Sequence, residues 1–423
     1  MKVKLSKESL KYAVKIHSIP KEEGTRANIS NMPSVVSLVD TNATYETKVL
    51  AAYLKSLALS KQVLFGHQNS AHSPIYREAK GESDVKELTG SYAGVIGFDT
   101  LSLSGIEMDV NTANEGIDRT AEITRKVAGE GAIITLSTHM PNFTDDRFDL
   151  GDGKYNFVTA NFMDTKNLDG DCVKAILENE IVQKRYNAYL DLVVDYSKKV
   201  RDIPVLFRPL HENNGEWFWW GTCSKVEDYK NLFHYTVNYL KKAGVNNFLY
   251  VYSPNGPIRS VEEYIERYPG NDYVDIIAFD YYDDYVVENE VYRDEFMNLL
   301  RQSSLVVARI ANENNKIPAI SEVGSRVMRE NGKNDGLKIT NNPIKGHKWY
   351  KQVGDIAADN GMPYYLVWGN FCDTNSYLPF KMTEDSGHEM CDDLIDYYND
   401  DISIFADGTN FYNKAMTKSI TNM

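Results

Sequence analysis

The chain alternates between short apolar runs and longer amphipathic stretches, and this alternation predicts its fold. The apolar runs are rich in β-branched and aromatic residues, and each is followed by a polar segment and then by a segment with helical periodicity. Eight such runs occur, at residues 62–67, 92–99, 132–139, 204–212, 248–255, 274–282, 318–324 and 364–371. The amphipathic stretches cover residues 44–59, 117–129, 178–200, 226–243, 292–312 and 346–360.

Continuous apolar strands separated by helices are typical of a parallel sheet that is buried on both faces. Eight strand–helix units favour a closed barrel over an open doubly wound sheet, so the predicted fold class is α/β, a (β/α)8 TIM barrel. No GxGxxG or Walker A sequence opens a helix, which argues against a nucleotide-binding fold. We expect residues 1–35 to form an N-terminal extension packed on the barrel, and residues 36–423 to form the catalytic barrel.

Polar residues end nearly every predicted strand. In a barrel of this kind, functional residues gather at the carboxyl ends of the strands and in the loops that follow. The strand-end residues are His67, Asp99, His139, His211, Glu212, Asp280, Glu322 and Trp368. One polar residue at a strand end is unremarkable, but a set of them at one barrel mouth predicts a site.

Two of these residues, Glu212 at the end of strand four and Glu322 at the end of strand seven, suggest a reaction. Glycoside hydrolysis with retention uses two carboxyl groups about 5–5.5 Å apart. Glu322 would have to be anionic, and Arg208 and the Tyr282 hydroxyl are candidate donors to it. Glu212 would have to start protonated, which burial and the charge of Glu322 would favour. The competing interpretation is a strand-end salt bridge for Glu212 and a loop anchor for Glu322.

Shortly after Glu212, three tryptophans lie within a stretch of four residues: Trp217, Trp219 and Trp220. Their flat apolar faces, and that of Trp368, suit the stacking of sugar rings. Core packing is the alternative for Trp219, Trp220 and Trp349.

Composition excludes several classes of partner. The formal net charge of -14 and the pI near 5.1 argue against nucleic acid or an anionic membrane surface. No run of 18 apolar residues occurs, so no membrane span is predicted. The four cysteines have no CxxC or CxxH spacing, so neither a zinc site nor a disulfide framework is indicated. We also expect no metal and no cofactor.

The segment Arg208-Pro209-Leu210-His211-Glu212, followed by Asn-Gly-x-Trp-Phe-x-Trp-Gly, resembles glycoside hydrolase family 26, which is best known for endo-β-1,4-mannanases. Four further segments are similar to that family and extend the resemblance over roughly residues 35 to 400. They are Phe65-Gly66-His67-Gln68, Ser83-Asp84-Val85-Lys86 with Gly97-Phe98-Asp99, Tyr252-Ser253-Pro254-Asn255 and Ser321-Glu322-Val323-Gly324.

This resemblance implies a retaining mechanism with Glu212 as acid/base and Glu322 as nucleophile. It also implies that His211 orients Glu212 or touches the sugar, and that Trp217 is the platform for the leaving-group sugar. Tyr282 matches the tyrosine that hydrogen-bonds the nucleophile, and Asp280 matches its neighbour. The substrate-binding set is then His139, Arg208, His211, Trp217, Asp280, Tyr282 and Trp368.

Two departures from the family pattern fall in the glycone half of the cleft. Thr138-His139 stands where a Trp-His pair is expected, and Gly369 follows Trp368 where an arginine is expected. The predicted substrate is a β-mannan polysaccharide or oligosaccharide. A β-1,3-xylanase or a mixed-linkage β-glucanase with the same catalytic pair is the alternative, because these departures bear on the sugar recognised.

Two other readings remain open from the sequence. His67, His139, His211 and Asp280 could bind zinc in a metal-dependent barrel hydrolase, and a non-catalytic carbohydrate-binding protein could use the same cleft. We expect a monomer. Secretion with a leader that is absent from this chain is the expected localisation, and a cytoplasmic protein is the alternative.

Overall fold

The computed structural model describes residues 5–22, 24–27, 37–76, 82–160, 171–286, 294–328, 334–409 and 411–412. Within them, eight parallel strands form a barrel. The strands are β1 (Val63–Gln68), β2 (Val95–Asp99), β3 (Ile133–Ser137), β4 (Val205–Arg208), β5 (Phe248–Tyr252), β6 (Ile276–Val286), β7 (Ile317–Met328) and β8 (Tyr364–Val367). Each strand pairs in parallel with its neighbour in sequence, and β8 pairs with β1, which closes the barrel. The predicted fold class is therefore confirmed.

Helices surround this barrel on the outside. They are α1 (Tyr45–Ser60), α2 (Asp84–Thr89), α3 (Thr100–Ser104), α4 (Ala113–Gly129), α5 (Asp171–Glu178), α6 (Glu180–Lys199), α7 (Val226–Lys242), α8 (Val261–Ile265), α9 (Glu295–Glu313), α10 (Trp349–Asp359) and α11 (Cys391–Tyr398). The six long helices predicted from the pattern are α1, α4, α6, α7, α9 and α10. The five short ones were not predicted, because a helix of five to eight residues is too short to show helical periodicity.

Local signals explain where two of the long helices begin. The Thr112 side chain accepts a hydrogen bond from the Glu115 amide, and the Glu115 carboxylate accepts one from the Thr112 amide. This capping box satisfies amides that have no partner inside the helix, so α4 begins four residues before the apolar pattern does. Asn179 caps α6 in a similar way, through hydrogen bonds from the Ile181 and Val182 amides.

Two apolar layers follow from the alternation of side chains along the strands. The barrel interior is filled by one cluster, to which Leu64, Val95, Ile133, Leu206, Leu249, Ile276, Ala319 and Tyr364 belong. The residues between them, such as Phe65, Ile96 and Phe207, belong to a larger cluster that packs against the helices. Because both faces are covered, the strands are apolar throughout rather than alternating with polar residues.

The described part of the N-terminal region contacts the C-terminal part of the chain. Val14–Lys15 pairs antiparallel with Ser386–Gly387. The Ser6 amide and the Ser9 hydroxyl donate to Asp373 Oδ2, at 2.6 and 2.7 Å. Residues 1–4, 23 and 28–35 of the predicted extension lie outside the described residues.

Two further observations concern the whole chain. The cysteines Cys172, Cys223, Cys372 and Cys391 are not joined by disulfide bonds. Among the helices that the structure describes, none has the length and apolar character needed to cross a membrane.

Candidate active site

Polar side chains form the last interior layer of the barrel, at the carboxyl ends of the strands. Continuing the alternation of the interior cluster along each strand places Asp99, Ser137, Arg208 and Asp280 on the inner face, above Val95, Ile133, Leu206 and Ala278. Gln68 also points inward, because a β-carbon added to Gly97 would lie 1.8 Å from its Oε1 atom. The layer lies at the mouth where barrel enzymes carry out their chemistry.

Glu322 reaches this layer through a β-bulge. Ile320 lies opposite Phe279 and Glu322 lies opposite Asp280, so Ser321 is an extra residue between the two pairs. Interior positions Ile317 and Ala319 would otherwise be followed by residue 321 on the inner face. The bulge shifts the alternation by one residue and aims Glu322 into the barrel mouth. The Ser321 hydroxyl donates to Asp280 Oδ1 at 2.6 Å, which holds the bulge in place.

Glu322 is buried, and each of its carboxylate oxygens accepts a hydrogen bond. The Arg208 guanidinium donates to Oε1 and also forms an ion pair with it. The Tyr282 hydroxyl donates to Oε2 at 2.6 Å. Arg208 is held in turn by Asp280, at 2.9 Å, and contacts the Ser253 hydroxyl at 3.3 Å. These donors suit an ionised carboxylate that keeps a fixed orientation.

Glu212 lies in a different environment. The Trp217 indole N–H donates to Glu212 Oε2 at 2.6 Å. The backbone amide of Glu212 donates to the Ser253 carbonyl at 2.8 Å. Burial, and then the charge of Glu322, raise the pKa of Glu212 to about 7. The side chain can therefore carry a proton near neutral pH.

The turn that presents this side chain has unusual backbone geometry. Leu210 has a φ of 51° and Glu212 a φ of 50°, both in the left-handed region that side chains disfavour. The turn aims Glu212 across the mouth towards β7. One oxygen from each of Glu212, Asp280 and Glu322 lies within 4.8 Å of the other two.

Two histidines, His139 and His211, lie close to Glu212 and Glu322, with their ring centroids 4.8 Å apart. His139 Nδ1 lies 2.8 Å from Asp99 Oδ2, and although burial opposes the charged form, the Asp99 carboxylate raises the pKa of His139. Burial and the nearby Arg208 lower the pKa of His211. One imidazole is therefore biased towards the cation and its neighbour towards the neutral form.

Of the tryptophans, two border the cleft and three belong to the core. Trp217 is 38% exposed and lies over Gly215, where an added β-carbon would come within 2.4 Å of the indole ring. Trp368 is partly exposed, with its ring centroid 5.8 Å from that of His139. The buried tryptophans donate to acceptors beneath the site: Trp219 to the Met140 carbonyl, Trp220 to the His211 carbonyl and Trp349 to Asp283.

The structure thus brings together all nine residues singled out from the sequence, around Glu212 and Glu322. It does not assemble the histidine zinc set. Along β1, His67 lies on the same side as Phe65, which packs against the helices, and neither of its ring nitrogens has a hydrogen-bond partner. Among the described residues, the group close enough to hold a metal ion consists of the three carboxylates, and Arg208 already forms ion pairs with two of them.

Sequence reasoning missed several residues that support the site. Ser253 and Ser321 were quoted only as parts of motifs, although strand alternation or the bulge brings each of them to Asp280. The ring centroid of Phe218 lies 5.1 Å from that of His211. Its position between Trp217 and Trp219 in the sequence could have marked it as a residue of the site. Nothing in the sequence pattern pointed to Arg326, whose guanidinium lies over the Tyr282 ring.

Comparisons with known proteins agree with one another. The sequence profile of Glycosyl hydrolase family 26 matches residues 39–357. A mannan endo-1,4-beta-mannosidase from Bifidobacterium adolescentis is 31% identical over 366 residues, which cover 82% of this chain and 33% of the relative. One from Bacillus subtilis strain 168 is 29% identical over 264 residues, which cover 58% of this chain and 66% of the relative.

A solved structure is also similar. The catalytic domain of the Bacillus sp. JAMB-750 GH26 endo-beta-1,4-mannanase superposes with a TM-score of 0.75 at 32% identity, covering 92% of this chain and 97% of that domain. The present chain thus spans about a third of one curated relative and about two thirds of the other, and nearly all of the solved catalytic domain.

Proposed function

The chain belongs to Glycosyl hydrolase family 26, and we therefore propose that it is a retaining endo-β-1,4-mannanase that hydrolyses mannan-type polysaccharides by double displacement. One observation carries the proposal: Glu212 and Glu322 have carboxylate oxygens within 4.8 Å of each other, in opposite electrostatic surroundings. This separation suits a nucleophile that attacks the sugar directly, because inverting enzymes need about 6.5–9.5 Å to admit a water molecule.

In the first step, a Glu322 oxygen attacks the anomeric carbon, and the bond from that carbon to the leaving oxygen breaks. Glu212 gives its proton to the leaving oxygen. Arg208 and Tyr282 keep Glu322 oriented for this attack through their hydrogen bonds. The products are a shortened polysaccharide and a glycosyl ester on Glu322.

The second step uses the same two residues, but Glu212 now acts as a base instead of an acid. Ester formation removes the charge of Glu322, which was one cause of the raised pKa of Glu212. Glu212 then takes a proton from water, and the water oxygen attacks the anomeric carbon and releases Glu322. The pKa of the acid/base thus falls at the stage when a base is needed.

The cleft walls suit a neutral polysaccharide. Trp217 presents a partly exposed indole face next to Glu212, where the leaving-group sugar would stack. Trp368 and His139 lie together in the cleft, with ring centroids 5.8 Å apart. We assign His139, Arg208, His211, Trp217, Asp280, Tyr282 and Trp368 to substrate binding or to orienting the catalytic pair.

The test has two parts. Mannan, galactomannan, glucomannan, β-1,3-xylan and mixed-linkage β-glucan are digested separately and the products are sized over time. We expect mannans to be cut first, with a broad range of early products, as internal cleavage produces. A preference for β-1,3-xylan or β-glucan would replace the proposed substrate with the alternative. Proton NMR of the first products should show the β-anomer, and initial formation of the α-anomer would refute double displacement.

We also propose that the protein acts as a monomer, outside the cell that makes it. A polysaccharide substrate supports extracellular action, because polysaccharides are too large to enter cells intact. Light scattering in solution and an assay of culture medium against cell contents test the two statements.

A further inference from the structure

Strands β6 and β7 continue beyond the barrel rim as a paired extension. In this extension Tyr282 lies opposite Gly324, and Asp284 lies opposite Arg326. The extension was not predicted, because the sequence pattern ended the two strands at residues 282 and 324. It carries the active-site tyrosine on its first paired position.

Glu322, Gly324 and Arg326 lie on one face of β7, because side chains two residues apart share a face of a strand. Gly324 leaves room for aromatic rings above it. A β-carbon added there would lie 3.2 Å from the Tyr282 ring and 2.7 Å from the Tyr377 ring. The Tyr282 ring therefore lies directly over the Gly324 backbone, between Glu322 and Arg326.

Arg326 contacts the face of this ring. Its guanidinium carbon lies 4.2 Å from the centroid of the Tyr282 ring, in cation–π geometry. Asp284 fixes the guanidinium, with Nε 2.5 Å from Oδ1. The Arg326 side chain is 24% exposed, so most of its surface is covered by neighbouring residues.

We propose that Arg326 is a positioning residue, which holds the Tyr282 ring so that its hydroxyl stays aimed at Glu322. The inference rests on the proposed function, because it assigns a role in the reaction of Glu322. The hydroxyl lies at the far end of the ring from the backbone, so a small tilt of the ring would break the 2.6 Å hydrogen bond to Oε2. Gly324 below the ring and Arg326 against its face together remove that freedom.

The first experiment separates positioning from substrate binding. We expect Arg326→Met to lower kcat on mannan about tenfold, the effect of about 1.4 kcal/mol, with KM little changed. Arg326→Lys should fall between this variant and the wild type, because lysine keeps the charge but lacks the planar face. Arg309→Met is the matched control, since Arg309 is exposed on α9 and forms an ion pair with Glu313 in the same helix. A rise in KM with unchanged kcat would mean that Arg326 binds the sugar itself, and would overturn the proposal.

The second experiment tests whether Arg326 acts through the tyrosine hydroxyl. In a Tyr282→Phe background the ring remains but the hydroxyl is gone. Arg326→Met should then change kcat by less than about twofold, so that the two substitutions are strongly coupled. An equal loss in both backgrounds would overturn the proposal.

A third measurement does not depend on turnover. In protein with 13Cζ-labelled tyrosine, the Tyr282 resonance is identified by its absence in Tyr282→Phe. It should shift in Arg326→Met and stay in place in Arg309→Met, while an unshifted resonance in Arg326→Met would overturn the inference. If the wild type hydrolyses none of the tested glycans, the proposed function fails, and this resonance still decides the role of Arg326.

Discussion

Glu212 and Glu322 have the same side chain, but their surroundings differ at every contact. Glu212 accepts one hydrogen bond from an indole and has a pKa raised to about 7 by burial and by its negative neighbour. Glu322 accepts hydrogen bonds from a guanidinium and a phenol. The different roles that we propose for the two glutamates therefore depend on Arg208, Trp217 and Tyr282 rather than on the glutamates themselves.

Replacing either glutamate should give a different kinetic signature. We expect Glu322→Ala to remove nearly all turnover on every substrate, because no nucleophile remains. Glu212→Ala should lose about 10²–10⁴-fold on mannan but keep a fast first step on aryl glycosides whose leaving groups need little protonation. Glu216→Ala is the control, since Glu216 is exposed on the same loop. Steady-state and burst kinetics distinguish the cases, and full activity in Glu322→Ala would contradict the assignment.

The pH profile should respond to Trp217. The acid form of Glu212 is lost as pH rises through about 7, so kcat/KM should fall above that pH. The Trp217 N–H stabilises the charged carboxylate, and this hydrogen bond partly offsets the rise in the pKa of Glu212 that burial and Glu322 cause. Trp217→Phe keeps a flat face but removes this donor, and we expect it to move the basic limb of the profile to higher pH. A limb that stays in place or moves lower would show that the indole does not act on Glu212 in this way.

At this scale the sequence predicted much of the site. The seven residues that we assign to substrate binding lie around Glu212 and Glu322, because strand alternation and barrel geometry determine where most strand ends point. The supporting contacts were harder to predict. Arg326 contacts Tyr282 only because β6 and β7 extend past the rim, and a charged residue after a strand gives no sign of such an extension.

At the scale of elements, the position of Glu322 depends on one irregularity. The apolar pattern shows that β7 exists, but simple alternation from Ile317 and Ala319 would turn Glu322 towards the helices. The bulge at Ser321 corrects this. Bulges depend on pairing with a neighbouring strand and on contacts such as that between Ser321 and Asp280, so they cannot be predicted from one strand's own sequence.

The packing of β6 against α10 also has a measurable consequence. Asp283 lies on the outer side of β6, where it is buried and accepts a hydrogen bond from Trp349. Burial raises the pKa of Asp283 to about 7. Between pH 5 and 7 the folded protein therefore holds a proton that the unfolded chain has released, and stability falls as pH rises through this window.

Asp283→Asn should remove that pH dependence. An amide keeps an acceptor for Trp349 but does not ionise, so the variant should not lose stability as the pH rises. The difference in free energy of unfolding, variant minus wild type, should therefore rise by about 2 kcal/mol between pH 5 and pH 8. Urea unfolding at the two pH values measures the difference. Asp401→Asn, at a fully exposed side chain, should show no such change. A relative stability that is the same at both pH values would mean that Asp283 titrates normally.

At the scale of the whole molecule, eight strand–helix units were enough to predict a closed barrel, because a parallel sheet of that size can bury both faces by closing. The match of the family profile to residues 39–357 and the solved mannanase domain agree with it. The route of the N-terminal region along the C-terminal part was not visible in the sequence. Its contacts include a two-residue strand pairing and hydrogen bonds from backbone amides and hydroxyls to single aspartates, and these leave no periodic pattern.

Asp373 is the clearest of these contacts to test. It is buried and accepts hydrogen bonds from the Ser6 amide and the Ser9 hydroxyl. Asp373→Ala should lower the free energy of unfolding by about 1–3 kcal/mol, because buried donors lose their acceptor. Thermal and urea unfolding measure this, with Asp401→Ala as the exposed control. Stability equal to that of the wild type would mean that residues 5–22 are not held to the barrel by this contact.

The left-handed backbone at Glu212 has an evolutionary consequence. A non-glycine residue held there costs the folded state of the order of 1 kcal/mol, and a glycine would relieve it. Selection for stability alone would thus favour losing this glutamate. In a descendant that did not need the proposed activity, replacing Glu212 would carry no functional cost and would also relieve the backbone strain. Such a replacement would therefore be favoured by stability.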